Sequence, residues 1–184
     1  MSRYSISGRP VPSVTEIIRE CIPGWMPDQW YLDRGQAVHA CAALIAKCKD
    51  FECDPQIAGY VAACRKWFAD TKPEVIAVEL KVESVMFQYC GRLDLLAIIA
   101  GNRVVVDWKS GPVNTTVFQL AGYAAALPRE LTPTNYGMEV VLHDDGTYKA
   151  SPLLDLRRVR GEFLAMRTVY GIKQRLGLIK PEEQ

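Results

Sequence analysis

Apolar positions recur at helical spacing over the first third of the chain and then switch to strict alternation. In 12–21, Ser13 or Thr15 offers an N-cap to a short apolar period that Pro23-Gly24 breaks, predicting one short helix. Trp30, Val38, Leu44 and Ile45 among many alanines predict a second helix over 28–49, weakened in its first turn by Gly35. Asp54-Pro55 is a cap followed by a first-turn proline, opening a third helix through Ile57, Val61, Cys64 and Phe68 to about residue 70, where Lys72-Pro73 ends it. Alternation follows: Ile76, Val78, Leu80 and Val82 face one way while Ala77, Glu79, Lys81 and Glu83 face the other. Residues 88–100 and 103–109 predict two further strands joined by a tight turn at Gly101-Asn102, and Ser110-Gly111-Pro112 stops the third. Asn114 or Thr115 caps a helix through Phe118, Leu120 and Tyr123 to about residue 127, closed by Pro128. Residues 136–142 and 147–153 flank Asp144-Asp145-Gly146 as a hairpin, and Asp155 caps a final amphipathic helix along Leu156, Val159, Phe163, Met166 and Tyr170. The predicted order is ααα-βββ-α-ββ-α, with no repeat or linker to divide it, so 1–184 is expected to be a single domain.

Composition narrows the class without naming it. With 184 residues, 49% of them apolar and 23% charged, the chain can bury a core, which excludes a disordered tail. A net charge of +1 excludes a global basic field, so any nucleic-acid contact must be local. The last helix (Arg157, Arg158, Arg160, Arg167, Lys173, Arg175) and Lys47, Lys49, Arg65 and Lys66 are candidates for it, although a solvated helix face explains most of them better. No apolar run is long enough to span a membrane and no signal pattern opens the chain, so a cytoplasmic protein without membrane contact is expected. The six cysteines lie in the first half without a C-x-x-C pair, a pattern of buried free thiols.

The chemistry concentrates in Gly91-Arg92-Leu93-Asp94 and in Val104 through Lys109, where three charged residues sit inside apolar strands. Residues two apart on a strand share a face, so Asp107 and Lys109 project together, away from Val106 and Trp108. A turn at Gly101-Asn102 pairs Asp94 with Lys109 and Leu96 with Asp107, making the two aspartates diagonal neighbours about 7–8 Å apart, close enough to share a divalent cation. A one-residue slip would send Asp94 to the opposite face. Asp94 and Lys109 as a plain cross-strand ion pair is the alternative, but a strand as apolar as 104–106 reads as buried on both faces, where unpaired charges cost several kcal/mol without a function.

The G-x-x-D ending at Asp94, the thirteen-residue step to Asp107, the D-x-K of Asp107-Trp108-Lys109 and the following Gln119-x-x-x-Tyr123 resemble the RecB-like, phage-type exonuclease branch of the PD-(D/E)XK nucleases. Arg34-Gly35 through His39, the strand residue Glu79 and the P-S-V-T-E-I-I near the start are similar to that branch as well. The resemblance implies an α/β (α+β) fold, a restriction-endonuclease-like αβββαβ core with a central mixed sheet flanked by helices and extra N-terminal helices. It implies a Mg²⁺- or Mn²⁺-dependent deoxyribonuclease, acting as an exonuclease on DNA ends in recombination, repair or phage DNA processing. Asp94, Asp107, the main-chain carbonyl of Trp108 and His39 would hold the metal, Glu79 would act through water or a second metal position, and Lys109 would orient the attacking water. Gln119, Tyr123 and Arg34 would support the site or contact substrate. From pattern alone, His39 and Glu79 read rather as an ordinary helix histidine and a solvated strand residue, and only the resemblance reverses that preference.

Some relatives hold an iron–sulfur cluster, which is not expected here because no cysteine follows Cys90. There is no G-K-[ST] phosphate loop, so a helicase would have to be another chain; a recombinase, a helicase or a single-strand annealing protein are the partners the resemblance implies besides single- or double-stranded DNA ends. Trp25, Trp30 and Tyr31 precede His39 as candidate base-stacking residues. A structure-specific endonuclease and a catalytically silent nucleic-acid-binding scaffold are the rival readings. The second would be expected to have lost Asp94, Asp107 or Lys109, and all three are present.

Overall fold

The computed structural model describes residues 4–22, 24, 28–111 and 113–179. Pro23, Trp25 and Pro112, used in the sequence reading, lie outside them. The chain opens with a hairpin of β1 (Tyr4–Ile6) and β2 (Arg9–Val11), followed by α1 (Val14–Cys21), α2 (Gln29–Ala46) and α3 (Ala58–Thr71). Then come β3 (Glu74–Ser84), β4 (Tyr89–Ile99), β5 (Asn102–Lys109), α4 (Thr116–Ala125), β6 (Tyr136–Leu142), β7 (Tyr148–Ala150), β8 (Leu154–Asp155) and α5 (Leu156–Arg175). The expected α-β-β-β-α-β succession is present from α3 to β6.

Local chemistry sets the helix starts. Ser13, not Thr15, caps α1: its hydroxyl accepts from Glu16 N at 3.1 Å while Glu16 Oε2 accepts from Ser13 N, a reciprocal capping box. Asp54 accepts from Gln56 N at 2.8 Å, and the third helix begins as a 3₁₀ turn over Pro55–Ile57 before becoming α3. Asp155 accepts from Arg157 N at 3.0 Å and starts α5.

The strands from β3 to β8 form one mixed sheet in the order β3-β4-β5-β6-β7, with β8 also pairing β6. Only β5 and β6 run parallel among these pairs, joined by the crossover through α4; the others are antiparallel. Helices α2 and α3 cover one face, packing Val38, Ala42, Cys64 and Trp67 on Leu95, Val104, Val106 and Trp108. Helices α1, α4 and α5 cover the other, packing Val14, Ile17, Leu120 and Phe163 on Leu96 and Val105. Coverage on both faces is why β4 and β5 read as almost continuous apolar runs.

Four features depart from the sequence reading. The β1–β2 hairpin was not expected, because three-residue strands carry too little alternation; its Ser7-Gly8 turn has both φ values positive. The strand expected over 147–153 divides into β7 and β8 around Pro152, which has no N–H for a ladder. The β4–β5 turn is centred on Ala100-Gly101 (φ 48° and 76°), one residue earlier than Gly101-Asn102, as a primed two-residue turn requires. Leu96 therefore faces Val105 rather than Asp107, and Asp94 is not opposite Lys109. Moving the turn by one residue moves the partner by two, so each side chain keeps its face.

The fourth departure lies in β3. Glu79 has φ 55°, a left-handed conformation that strains a non-glycine strand residue by about 1–3 kcal/mol. Alternation fails there: Val78 packs with the α2–α3 core while Leu80 packs with the α1–α4–α5 core. The same reversal occurs across from it in β4, where Leu93 and Leu95 belong to opposite cores and Asp94 lies between them. The two sheet faces thus exchange at Glu79 and Asp94, in the middle of the expected site.

Candidate active site

The β4–β5 pairs run from Ile99–Asn102 to Leu95–Val106. Beyond them the carboxylate of Asp94 replaces a backbone partner, Oδ2 accepting from Trp108 N at 2.9 Å. This bond fixes the peptide between Asp107 and Lys109, so the two motifs seen in the sequence are locked together through the main chain. From α2, His39 Nδ1 approaches the same Asp94 oxygen to 3.1 Å. Burial pulls the His39 pKa down, but the charge and hydrogen bond of Asp94 outweigh it and the net shift is upward.

Asp107 is fully buried, beneath the edge from which Lys109 reaches back. Lys109 Nζ lies 2.6 Å from Asp107 Oδ2 and donates to Gln119 Oε1 at 3.0 Å. Gln119 Nε2 in turn donates to Tyr123 Oη at 2.9 Å. The i, i+4 spacing on α4 thus becomes a relay that points the lysine, with both side chains on one helix face. Neither Asp107 oxygen receives a directed hydrogen bond: the contact of Oδ2 with Lys109 is ionic, and Oδ1 has no donor. Burial pushes the Asp107 carboxyl up to about 6, helped by the charge of Asp94 and opposed by Lys109 and His39. Burial alone would lower the Lys109 ammonium, but the neighbouring Asp107 holds it above its ordinary value.

Gly91, the glycine of G-x-x-D, has a reason to be one. A Cβ there would stand 2.6 Å from the Tyr123 ring, so the first motif leaves room for the last. The Trp108 side chain is buried edge-on to Trp67 at 4.9 Å between ring centres; only its main chain faces the site.

His39, Asp94 and Glu79 line one cleft of about 520 Å³, together with Gln36, Ala40, Ala43 and Arg92. Glu79 is brought to the cleft but paired with Arg92, Oε2 lying 3.4 Å from Nη1. Arg34 is placed elsewhere: its Nη2 donates to Ser110 O at 2.8 Å, and its guanidinium lies 4.7, 4.9 and 5.2 Å from the ring centres of Trp30, Tyr31 and Tyr60. It braces α2 against the end of β5. Trp30 and Tyr31 are exposed beside it.

The sequence reading missed Glu139. It pairs in register with Asp107 on the parallel strand β6, adds its charge to the field that raises Lys109, and leaves Oε2 buried without a donor. An acid inside the apolar strand 136–142 was the signal, the same one that singled out Asp107. Arg92 and Gln36 were also passed over, as spacers within motifs.

Among the described residues no group of three His, Cys, Asp or Glu side chains is already gathered as a metal site. The donor set nonetheless fits a hard divalent cation, because Asp107 Oδ1 is a buried anionic oxygen without a partner and Asp94 acts on it electrostatically. Asp94, Asp107 and the Trp108 carbonyl would supply oxygen ligands, with His39 as a nitrogen donor.

No protein-family model matches the chain, and no curated protein does. Among solved structures, it is similar to an alkaline exonuclease (LHK-Exo) from Laribacter hongkongensis, with 11% identity over 91% of this chain and 94% of that one and a TM-score of 0.43. A structure of LHK-Exo in complex with dAMP aligns with 12% identity over 92% and 95% of the two chains, at a TM-score of 0.45.

Proposed function

We propose that the chain is a divalent-metal-dependent deoxyribonuclease that removes nucleotides from DNA ends. The observation that carries this reading is the buried Asp107, whose Oδ1 has no hydrogen-bond donor and whose pKa burial raises, the surroundings of a carboxylate that a cation would neutralise. A bound Mg²⁺ or Mn²⁺ would supply charge to polarise the phosphoryl oxygen and lower the pKa of a water nucleophile.

The protein's own residues do the rest. Asp94 fixes the Trp108 peptide and, through it, the relative direction of Asp107 and Lys109. Lys109, aimed by Gln119 and kept charged by Asp107, orients the attacking water and offsets negative charge developing on the phosphate. Tyr123 holds Gln119 and fills the space over Gly91. Its own pKa is pushed far up by burial and the two aspartates, so its hydroxyl stays protonated as a hydrogen-bonding group.

End-labelled linear DNA and closed circular DNA, single- and double-stranded, incubated with Mg²⁺, Mn²⁺ or chelator test the proposal. Loss of linear DNA with circles spared, only with metal and not with Asp107→Ala or Lys109→Ala, is the expected result. Equal nicking of circles would replace exonuclease by endonuclease, and no cleavage by purified wild-type protein would remove the assignment.

A further inference from the structure

The sheet face that carries Asp107 and Lys109 holds a third charged side chain. The parallel register of β5 and β6 sets Glu139 beside Asp107 and Val141 beside Lys109. Side chains in register on parallel strands project from one face, and adjoining strands lie about 4.8 Å apart, so Glu139 points with Asp107 toward α4. Gly137, two residues earlier on that face, gives the same direction: a Cβ there would stand 3.0 Å from Leu120 of α4. The neighbours of Glu139 along β6 are apolar, Met138 before it and Val140, Val141 and Leu142 after it.

The backbone of Glu139 is tied down while its carboxylate is not. Ser151 Oγ accepts from Glu139 N at 3.1 Å, and Ser151 N donates to Glu139 O at 2.9 Å. Oε2, by contrast, is buried without a donor. A buried carboxylate oxygen in that position weakens the fold rather than supporting it, so packing gives no reason for an acid here. Lys109 gives one. Its Nζ lies 2.6 Å from Asp107 Oδ2 and donates to Gln119 Oε1, and Glu139 is among the charges that hold it above its ordinary value. An ammonium has three donors, so a further acceptor can engage it without releasing Gln119. A divalent cation on Asp107 would set two positive groups on one carboxylate, and their repulsion opposes both contacts. A second acid beside the ammonium relieves that conflict.

We infer that Glu139 is a positioning residue of this site, the second acceptor of the Lys109 ammonium, which takes that charge over from Asp107 when Asp107 engages a divalent cation. Gln119 keeps the ammonium in place through the exchange, so Lys109 stays aimed while Asp107 is freed for the metal. The inference rests on the reading of Asp107 as a metal ligand, and it gives Glu139 an effect on metal affinity that runs through Lys109 rather than through direct ligation.

The test is a double-mutant cycle read by calorimetric titration with Mn²⁺ at neutral pH, on wild type, Glu139→Gln, Glu139→Asp, Lys109→Ala and the Lys109→Ala, Glu139→Gln double variant. Circular dichroism checks that each is folded. Glu139→Gln should weaken Mn²⁺ binding about tenfold, with Glu139→Asp, which keeps the charge, between it and wild type. Once Lys109 is absent the same Glu139→Gln change should shift affinity by less than about threefold. In chelator, Glu139→Gln should melt no lower than wild type, because the oxygen it alters makes no bond. Equal Mn²⁺ affinity in wild type and Glu139→Gln overturns the inference. So does an undiminished tenfold loss in the Lys109→Ala background, which would make Glu139 a metal ligand in its own right, and so does a Tm lowered by more than about 5 °C, which would make it structural. Binding that needs Asp107 and ignores Glu139 sinks this inference alone, whereas a wild-type protein that binds no Mn²⁺ sinks the metal-ligand reading of Asp107 and this inference with it.

Discussion

Two aspartates in this protein sit at nearly the same distance from a basic partner and respond in opposite ways. Asp155 pairs with Arg157 at 2.5 Å at the exposed start of α5, and Asp107 pairs with Lys109 at 2.6 Å inside the sheet. The hydrogen bonds from Arg157 hold the Asp155 carboxyl down at about 2, whereas burial pushes Asp107 up to about 6 despite its lysine. Distance to the partner does not separate the two; solvent and hydrogen-bond donors do. Asp155 caps a helix with every contact made, and Asp107 has an oxygen that meets nothing. The first pattern is that of a structural ion pair; the second, a buried carboxylate with no hydrogen-bond donor, is the one expected of the proposed metal ligand.

The comparison breaks most visibly under substitution. Asp107→Asn should reduce DNA cleavage by on the order of a thousandfold or more while the protein stays folded, whereas Asp155→Ala should leave the cleavage rate per folded molecule unchanged. Activity measured beside circular dichroism distinguishes them, and similar losses in both would erase the contrast. Gln119→Ala releases Lys109 without removing it, and a fall in kcat of roughly 10- to 100-fold with little change in KM is expected. A change confined to KM would move Gln119 from aiming the lysine to holding substrate.

The pH dependence sharpens the same contrast. Because the folded Asp107 value of about 6 lies above its ordinary 3.8, the folded chain holds this proton more tightly than the unfolded one. Stability from this group is therefore greatest below about 3.8 and declines as pH rises through 6. Urea unfolding of metal-free protein between pH 4 and 6 should show Asp107→Asn gaining on wild type as pH rises, and parallel curves would contradict it. His39, also raised, loses its contribution at higher pH, which is why the window stops there. Asp155, lowered, runs the other way and acts only at the acid end. The smallest effect expected is the loss of its cap: Asp155→Ala should lower Tm by roughly 2–4 °C by calorimetry.

Much of this arrangement was legible in the residues, for identifiable reasons. Helix spans followed from apolar spacing and from short polar caps, and the face shared by Asp107 and Lys109 followed from strand geometry alone. The turn differs because Ala100, not glycine, takes the first positive φ, yet the two-residue change in register kept the side chains from Leu95 to Val106 on their faces. What the pattern could not carry was the exchange of faces at Glu79 and Asp94, since alternation assumes an unstrained strand. Nor could it carry the Asp94 bond to the Trp108 amide, a side-chain-to-backbone contact with no sequence period, or the nearness of Glu139, which depends on a parallel pairing through α4.

The central proposal is that Asp107 is a ligand to a divalent cation, and titration of the metal-free protein with Mn²⁺ by calorimetry tests it most directly. The account predicts saturable binding to wild type that weakens as pH falls below about 6 and disappears in Asp107→Asn while surviving in Asp155→Ala. Binding of equal strength in wild type and Asp107→Asn, or no binding to the folded wild-type protein at neutral pH, would contradict it.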